Sequence, residues 1–269
     1  MGLFDKSKNN TEPHIGYWFT KQSAISALKT GRSLTAGLRI KNPNNKPPWM
    51  IVDKEIQSII VTADSWPGSL WRVRVIKLGD MSGLIANPGY WRATEIELIE
   101  ELPAGTLFGD QGDRIISLLN QIMTLTSSEV DELYANRAEN SCAEAAYAHA
   151  WKYWNDNQKH PRSHAYGDGM ILASPHKCDK EMSPINHGFL LISALIWQKA
   201  RELEGQEAFI EFIEYGETEL ELNPRWTAAC TAFIHKAMGL SMSQYLSAAE
   251  IESLMQSWLS VFGREEKAT

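Results

Sequence analysis

Apolar and polar residues alternate with one period before the stretch Leu102–Asp113 and with another after it. Before it, apolar positions recur every second residue in short runs, the spacing of half-buried strands. Trp71–Lys77 (WRVRVIK) sets Trp71, Val73 and Val75 on one side and Arg72 and Arg74 on the other. Tyr90–Ile99 (YWRATEIELI) alternates in the same way, with Ile96 and Leu98 sharing a side. Leu34–Ile40 and Trp49–Val52 are shorter strand candidates, separated by the turn-forming KNPNNKPP, and Glu55–Ala63 is a further β-rich run. Thr20 is placed to cap one short helix through Ser23, Ala24, Ala27 and Leu28, with Gly31 as its stop.

From Asp113 onward the apolar period is helical. Asp113 caps a run containing Ile115, Ile116, Leu118, Leu119, Ile122 and Met123. Thr126-Ser-Ser-Glu129 has the form of a capping box and opens a long helix to about Trp154. The seam expected on that helix is Val130, Leu133, Tyr134, Ala138, Cys142, Ala145 and His149. Ser183-Pro184 starts the next helix, which ends near Gly205, and a short helix is expected over Ala208–Tyr215. Asn223-Pro224 opens another with Gly239 as its stop; Ser247-Ala-Ala-Glu250 opens the last, which ends at Gly263. The expected fold is α+β. A small, mostly antiparallel β-rich module with one short helix spans 15–109, an α-helical bundle spans 110–263, and 1–14 and 264–269 are polar tails.

Charge separates the same two regions. Residues 1–100 hold 13 Lys+Arg and 9 Asp+Glu, a net of +4; the remainder nets −11 against the whole-chain −7. The N-terminal module is too weakly basic for charge alone to indicate nucleic acid. Arg72, Arg74 and Arg92, with Trp71, Tyr90 and Trp91 nearby, are nonetheless the residue types of a stacking and phosphate-binding face. The simpler reading is the solvated side of two strands. No apolar run approaches the ~20 residues of a membrane span. The first fourteen residues lack the apolar core of a secretory signal. Three widely spaced cysteines describe no disulfide framework and suit a reducing cytoplasm.

Glu95 and Glu97 alternate on one strand and are followed by Leu102-Pro-x-Gly-Thr-x-Phe108. Over about fifteen residues this resembles the last catalytic strands of ADP-ribosyltransferases. The resemblance would imply a glutamate on the nicotinamide ribose. The Ser-Thr-Ser strand of that family is missing, no early arginine matches, and helices follow where that family adds strands. Glu95 and Glu97 therefore read as exposed strand carboxylates.

Five of the seven histidines, His149, His160, His164, His176 and His187, crowd around the loop 157–187 with Cys178. Imidazole and thiolate are the ligands zinc prefers, so His160, His164, His176 and Cys178 are the candidate metal ligands, and Asp168 or Asp179 the candidate base of a hydrolase or lyase. Their spacing matches no familiar zinc pattern, and the plain alternative is a set of loop residues. His149, on the alanine seam, is expected to be a satisfied core histidine. The cofactor expectation is none, or zinc if that loop holds one. No phosphate-binding loop, nucleophile elbow, His-Glu-x-x-His or Cys-x-x-Cys occurs. With these motifs missing and ten tryptophans present, the chain reads first as a cytoplasmic, non-catalytic protein that engages another protein. An adaptor, an immunity-type inhibitor or an anti-defence factor fits that description. A metal-dependent enzyme and a nucleic-acid binder are the alternatives, and no membrane partner is expected.

Overall fold

Strand β5 (Tyr90–Leu102) is the longest and organises the N-terminal half, because three other strands pair with it. The computed structural model describes residues 13–21, 34–42, 46–59, 66–83, 89–137, 141–157, 189–214 and 217–266. The chain divides into two units: Met1–Ile56 with Ser69–Leu102, and Gln57–Gly68 with Pro103–Thr269.

In the first unit β1 (Ile15–Lys21), β2 (Arg39–Lys41), β3 (Met50–Asp53) and β4 (Gly68–Leu78) join β5 in the order β2-β5-β3-β1-β4. β4 also pairs with β5, so the sheet closes on itself as a small barrel. β5 is antiparallel to β2, β3 and β4. Period-two patterning fills the inside: Trp18, Ile40, Met50, Val52, Trp71, Val73, Val75, Ala93, Ile96 and Leu98 form one core. The β-rich module expected from the sequence is thus present.

β1 stands where the sequence suggests a helix start. Its inward positions are Gly16, Trp18 and Thr20, so only one large apolar residue marks the alternation. Thr20 is buried within this strand; the residues of the expected helix, 23–31, lie outside the described ones. Two other strand expectations change. Gly37 takes a positive φ of 83° in a turn closed by Leu38 N–H to the Thr35 carbonyl, which leaves only Arg39–Lys41 as strand. In the run Glu55–Ala63, Ile56–Ser58 is a 3-10 turn, and residues 60–63 lie outside the described ones.

The second unit is helical: α1 (Gly112–Thr124), α2 (Ser127–Ala135), α3 (Ser141–Asn157), α4 (Phe189–Glu204), α5 (Pro224–Ser241) and α6 (Ala248–Glu266). Both capping boxes form as their sequences predict: Glu129 and Glu250 each accept from the backbone and hydroxyl of the cap residue, Thr126 and Ser247. The long helix of the sequence reading is two helices. The Asn136 side-chain amide donates to the Glu132 carbonyl at 2.8 Å and ends α2. The break resets the phase. Ala143, Ala146, Ala150 and Trp151 point inward on α3, and Cys142, Ala145 and His149 point outward.

Gly239 does not stop its helix. α5 runs on to Ser241, and a Cβ at Gly239 would meet Met255 Cε at 2.8 Å, so this glycine serves the close approach of α6. Arg225, in the first turn of α5, ties three elements together through Asp131 at 2.7 Å and Glu204 at 3.2 Å. The helix expected over Ala208–Tyr215 is instead the first strand of a hairpin, β6 (Phe209–Glu214) with β7 (Glu217–Leu222). FIEFIE repeats every three residues, which imitates helical spacing; ETELEL has the true period of two.

Candidate functional site

The barrel places the five candidate binding residues on two sides of one sheet. Trp71 lies in the core, and Trp91 packs against that core beside Val52, its cross-strand partner. The Trp91 ring meets the His14 ring at 5.1 Å and the Lys54 ammonium at 5.2 Å. Arg72, Arg74 and Arg92 belong to the outer side. Arg74 pairs with Glu97 at 2.8 Å, Arg72 stands opposite Glu100, and Arg92 donates to the Asp80 carbonyl at 3.1 Å. Lys41 reaches Glu95 at 3.5 Å, and Lys77 is the cross-strand partner of Glu95 on the other side. Glu95 and Glu97 are therefore the acidic centre of a charge ladder, flanked by cations of β2 and β4. A phosphate backbone laid on this face would meet three carboxylates among the arginines, and the tryptophans would face away from its bases.

One carboxyl of the barrel is perturbed. Asp53, at the end of β3 between Tyr17 and Tyr90 in the register, is pushed up to about 7 by burial. In the helical unit burial holds the His235 imidazole down at about 4, with the Tyr147 ring 4.9 Å away.

The candidate metal ligands His160, His164, His176 and Cys178 lie outside the described residues. Among the described residues no group of three or more His, Cys, Asp and Glu is placed to hold a metal ion. His149 is not a core histidine. Its side chain is exposed on α3, with Nδ1 2.7 Å from Glu250 Oε1. Glu250 sits in the capping box of α6, and the Ser247 hydrogen bonds hold its carboxyl down at about 2, with His149 adding to them.

The hairpin β6–β7 stands apart from both sets. Its root is built in: Phe209 and Leu222 are cross-strand partners and both are buried. Trp197 packs on Phe209 with ring centroids 4.8 Å apart. Asn223 fixes the same end. Its Oδ1 accepts from the Arg225 and Trp226 amides, and its Nδ2 donates to the Glu207 carbonyl at 2.8 Å. Beyond the root the apolar residues come into the open, with Ile210 46% and Ile213 78% exposed. Phe209–Leu222 carries five glutamates and no lysine or arginine. Among the described residues no third strand joins the pair. A two-stranded ribbon of this kind has marginal stability in water and offers unpaired backbone at its edges. The sequence reading missed this element, although ETELEL after Tyr215-Gly216 carries its signature.

No helix among the described residues is long and apolar enough to cross a membrane. No protein-family model matches the chain, and neither a curated protein nor a solved structure matches it significantly.

Proposed function

We propose that this is a non-catalytic, cytoplasmic protein that binds another protein, as an adaptor, an immunity-type inhibitor or an anti-defence factor does, and that the β6–β7 hairpin is its docking element. The observation that carries the reading is Ile213, 78% exposed on a ribbon with five glutamates and no basic residue. Exposed aliphatic side chains on an open β edge gain free energy when a partner covers them. The glutamates select that partner: an extended segment in which apolar residues alternate with lysine or arginine, added to the ribbon as a strand. Backbone hydrogen bonds would supply much of the affinity and the charges the choice of partner.

The test is capture of proteins from extracts of the source cell by the wild-type chain and by an Ile210→Lys/Ile213→Lys variant. Both variant positions are exposed, so the fold is expected to survive the change. The expected result is a partner held by the wild type, lost from the variant, released by salt, and bound again when purified. A partner held equally by both chains, or none held by either, would contradict the proposal.

A further inference from the structure

The two edges of the β6–β7 ribbon are unequal. At the root, Asn223 N–H donates to the Ala208 carbonyl at 2.8 Å, which sets the phase of the ribbon. Hydrogen-bonded and unbonded cross-strand pairs alternate in an antiparallel ladder. Ile210 with Glu221 and Phe212 with Glu219 are therefore the bonded pairs, and Glu211 with Leu220 and Ile213 with Thr218 the unbonded ones. The backbone N–H and C=O groups of Glu211 and Ile213 point out along the β6 edge, and those of Thr218 and Leu220 along the β7 edge. Each edge is engaged at the root. The Phe209 N–H donates to the Gln206 carbonyl, and the Leu222 carbonyl accepts from the Thr227 hydroxyl at 3.0 Å.

The two edges thus offer the same backbone, and side chains distinguish them. Exposed aliphatic surface belongs to β6, where Ile210 and Ile213 stand in the open and Phe212 is half-buried. On β7, Glu217, Thr218, Glu219 and Glu221 are exposed and Leu220 is half-buried. A strand added beside β6 covers apolar area, whereas one added beside β7 covers mostly carboxylates. Charged side chains are also a common guard of an edge strand against pairing.

Ile210 and Phe212 share a face with Glu221 and Glu219, their cross-strand partners. Seen from a strand added at β6, those carboxylates lie behind the apolar pair, two strand spacings or about 10 Å away. Lysine and arginine suit this arrangement, with the apolar stem over Ile210 or Phe212 and the charged head at Glu221 or Glu219. The opposite face carries Ile213, which is best covered by an apolar residue. On the docking reading above, we infer that β6 is the receiving edge. Its occupant is an extended segment of a partner protein with lysine or arginine at alternate positions, their stems over Ile210 and Phe212, and an apolar residue beside Ile213. A second copy of this chain would bring another ribbon with five glutamates and no basic residue, so like charge opposes that occupant.

The experiment titrates the isotope-labelled full chain with the peptide acetyl-VKVKVKV-amide and reads amide exchange residue by residue by NMR. The expected result is saturable binding, with exchange at Glu211 and Ile213 slowed about tenfold or more and exchange at Thr218 and Leu220 unchanged. A peptide with diaminobutyrate in place of lysine keeps the charge and shortens the stem, and it should bind about tenfold more weakly. Glu219→Gln/Glu221→Gln, at two exposed positions, should weaken the lysine peptide several-fold. Slowing at Thr218 and Leu220, with Glu211 and Ile213 still fast, would overturn the edge assignment and leave the hairpin as the docking element. Equal binding of the two peptides, or no saturable binding of the lysine peptide, would overturn the inference as well. A partner captured by the wild type but not by the Ile210→Lys/Ile213→Lys chain would then still uphold the docking reading on its own.

Discussion

In β5 the alternating Glu95 and Glu97 are flanked across the sheet by Lys41 and Lys77 and by Arg39 and Arg74. In β7 the alternating Glu217, Glu219 and Glu221 stand opposite Glu214, Phe212 and Ile210. The local pattern is the same, and the neighbours differ. The barrel buries one face of its strands, neutralises the other, and leaves β5 paired on both sides. The hairpin buries only its root and concentrates like charge on an open ribbon. Such a feature destabilises the free chain slightly, and a partner of opposite charge reverses the sign.

That contrast can be broken most sharply with single truncations. Leu98→Ala in β5 removes a fully buried side chain and should cost about 2–5 kcal/mol in urea unfolding. Ile213→Ala in β6 should cost less than about 0.5 kcal/mol, because the side chain is already in water. Comparable losses at the two sites would mean that the ribbon is packed in solution.

The two units should also respond to pH with opposite signs. Asp53 is held at about 7 against an ordinary 3.8, so the folded barrel binds its proton more tightly than the unfolded chain. The stability it contributes is present below about 4 and is lost as pH rises towards 7. His235 is held at about 4 against 6.5, so its contribution is present above 6.5 and is lost as pH falls towards 4. Each swing should be on the order of 2 kcal/mol after allowance for solvent. Hydrogen exchange across pH 4–7 reads both, and Asp53→Asn and His235→Gln should flatten their own slopes. A slope of the same sign in both units would refute the assignment.

Smaller effects test the supports of each ribbon. Asn223→Ala removes the cap of α5 and should cost about 1 kcal/mol, with faster amide exchange at the hairpin root. Arg74→Ala breaks a half-exposed ion pair and should cost under about 1 kcal/mol, with the difference fading in high salt. A larger, salt-independent loss would show that Arg74 supports the barrel by packing.

The sequence predicts most reliably where a single period persists. WRVRVIK and ATEIELI each carry one inward set, and both strands form with the expected residues inside. It predicts poorly where the signal is diluted or mixed. Gly16 and Thr20 dilute the inward set of β1, and FIEFIE satisfies a helix as well as a strand. A break with neither glycine nor proline, capped only by Asn136, is hard to detect in an alanine-rich run, and with it the seam of α3 shifts by one residue. The contact of Trp258 with Gln121 was illegible for another reason: the two residues stand on separate helices, and only packing brings them together.

The central claim is that the acidic hairpin is what the chain presents to its partner. Hydrogen–deuterium exchange of the wild-type chain with and without its captured partner tests this most directly. The account predicts that the largest gain in protection falls within Phe209–Leu222, with the exposed Ile210 and Ile213 at its centre. Protection confined to the barrel exterior around Arg72, Arg74 and Arg92, with the hairpin amides exchanging as fast as in the free chain, would contradict it.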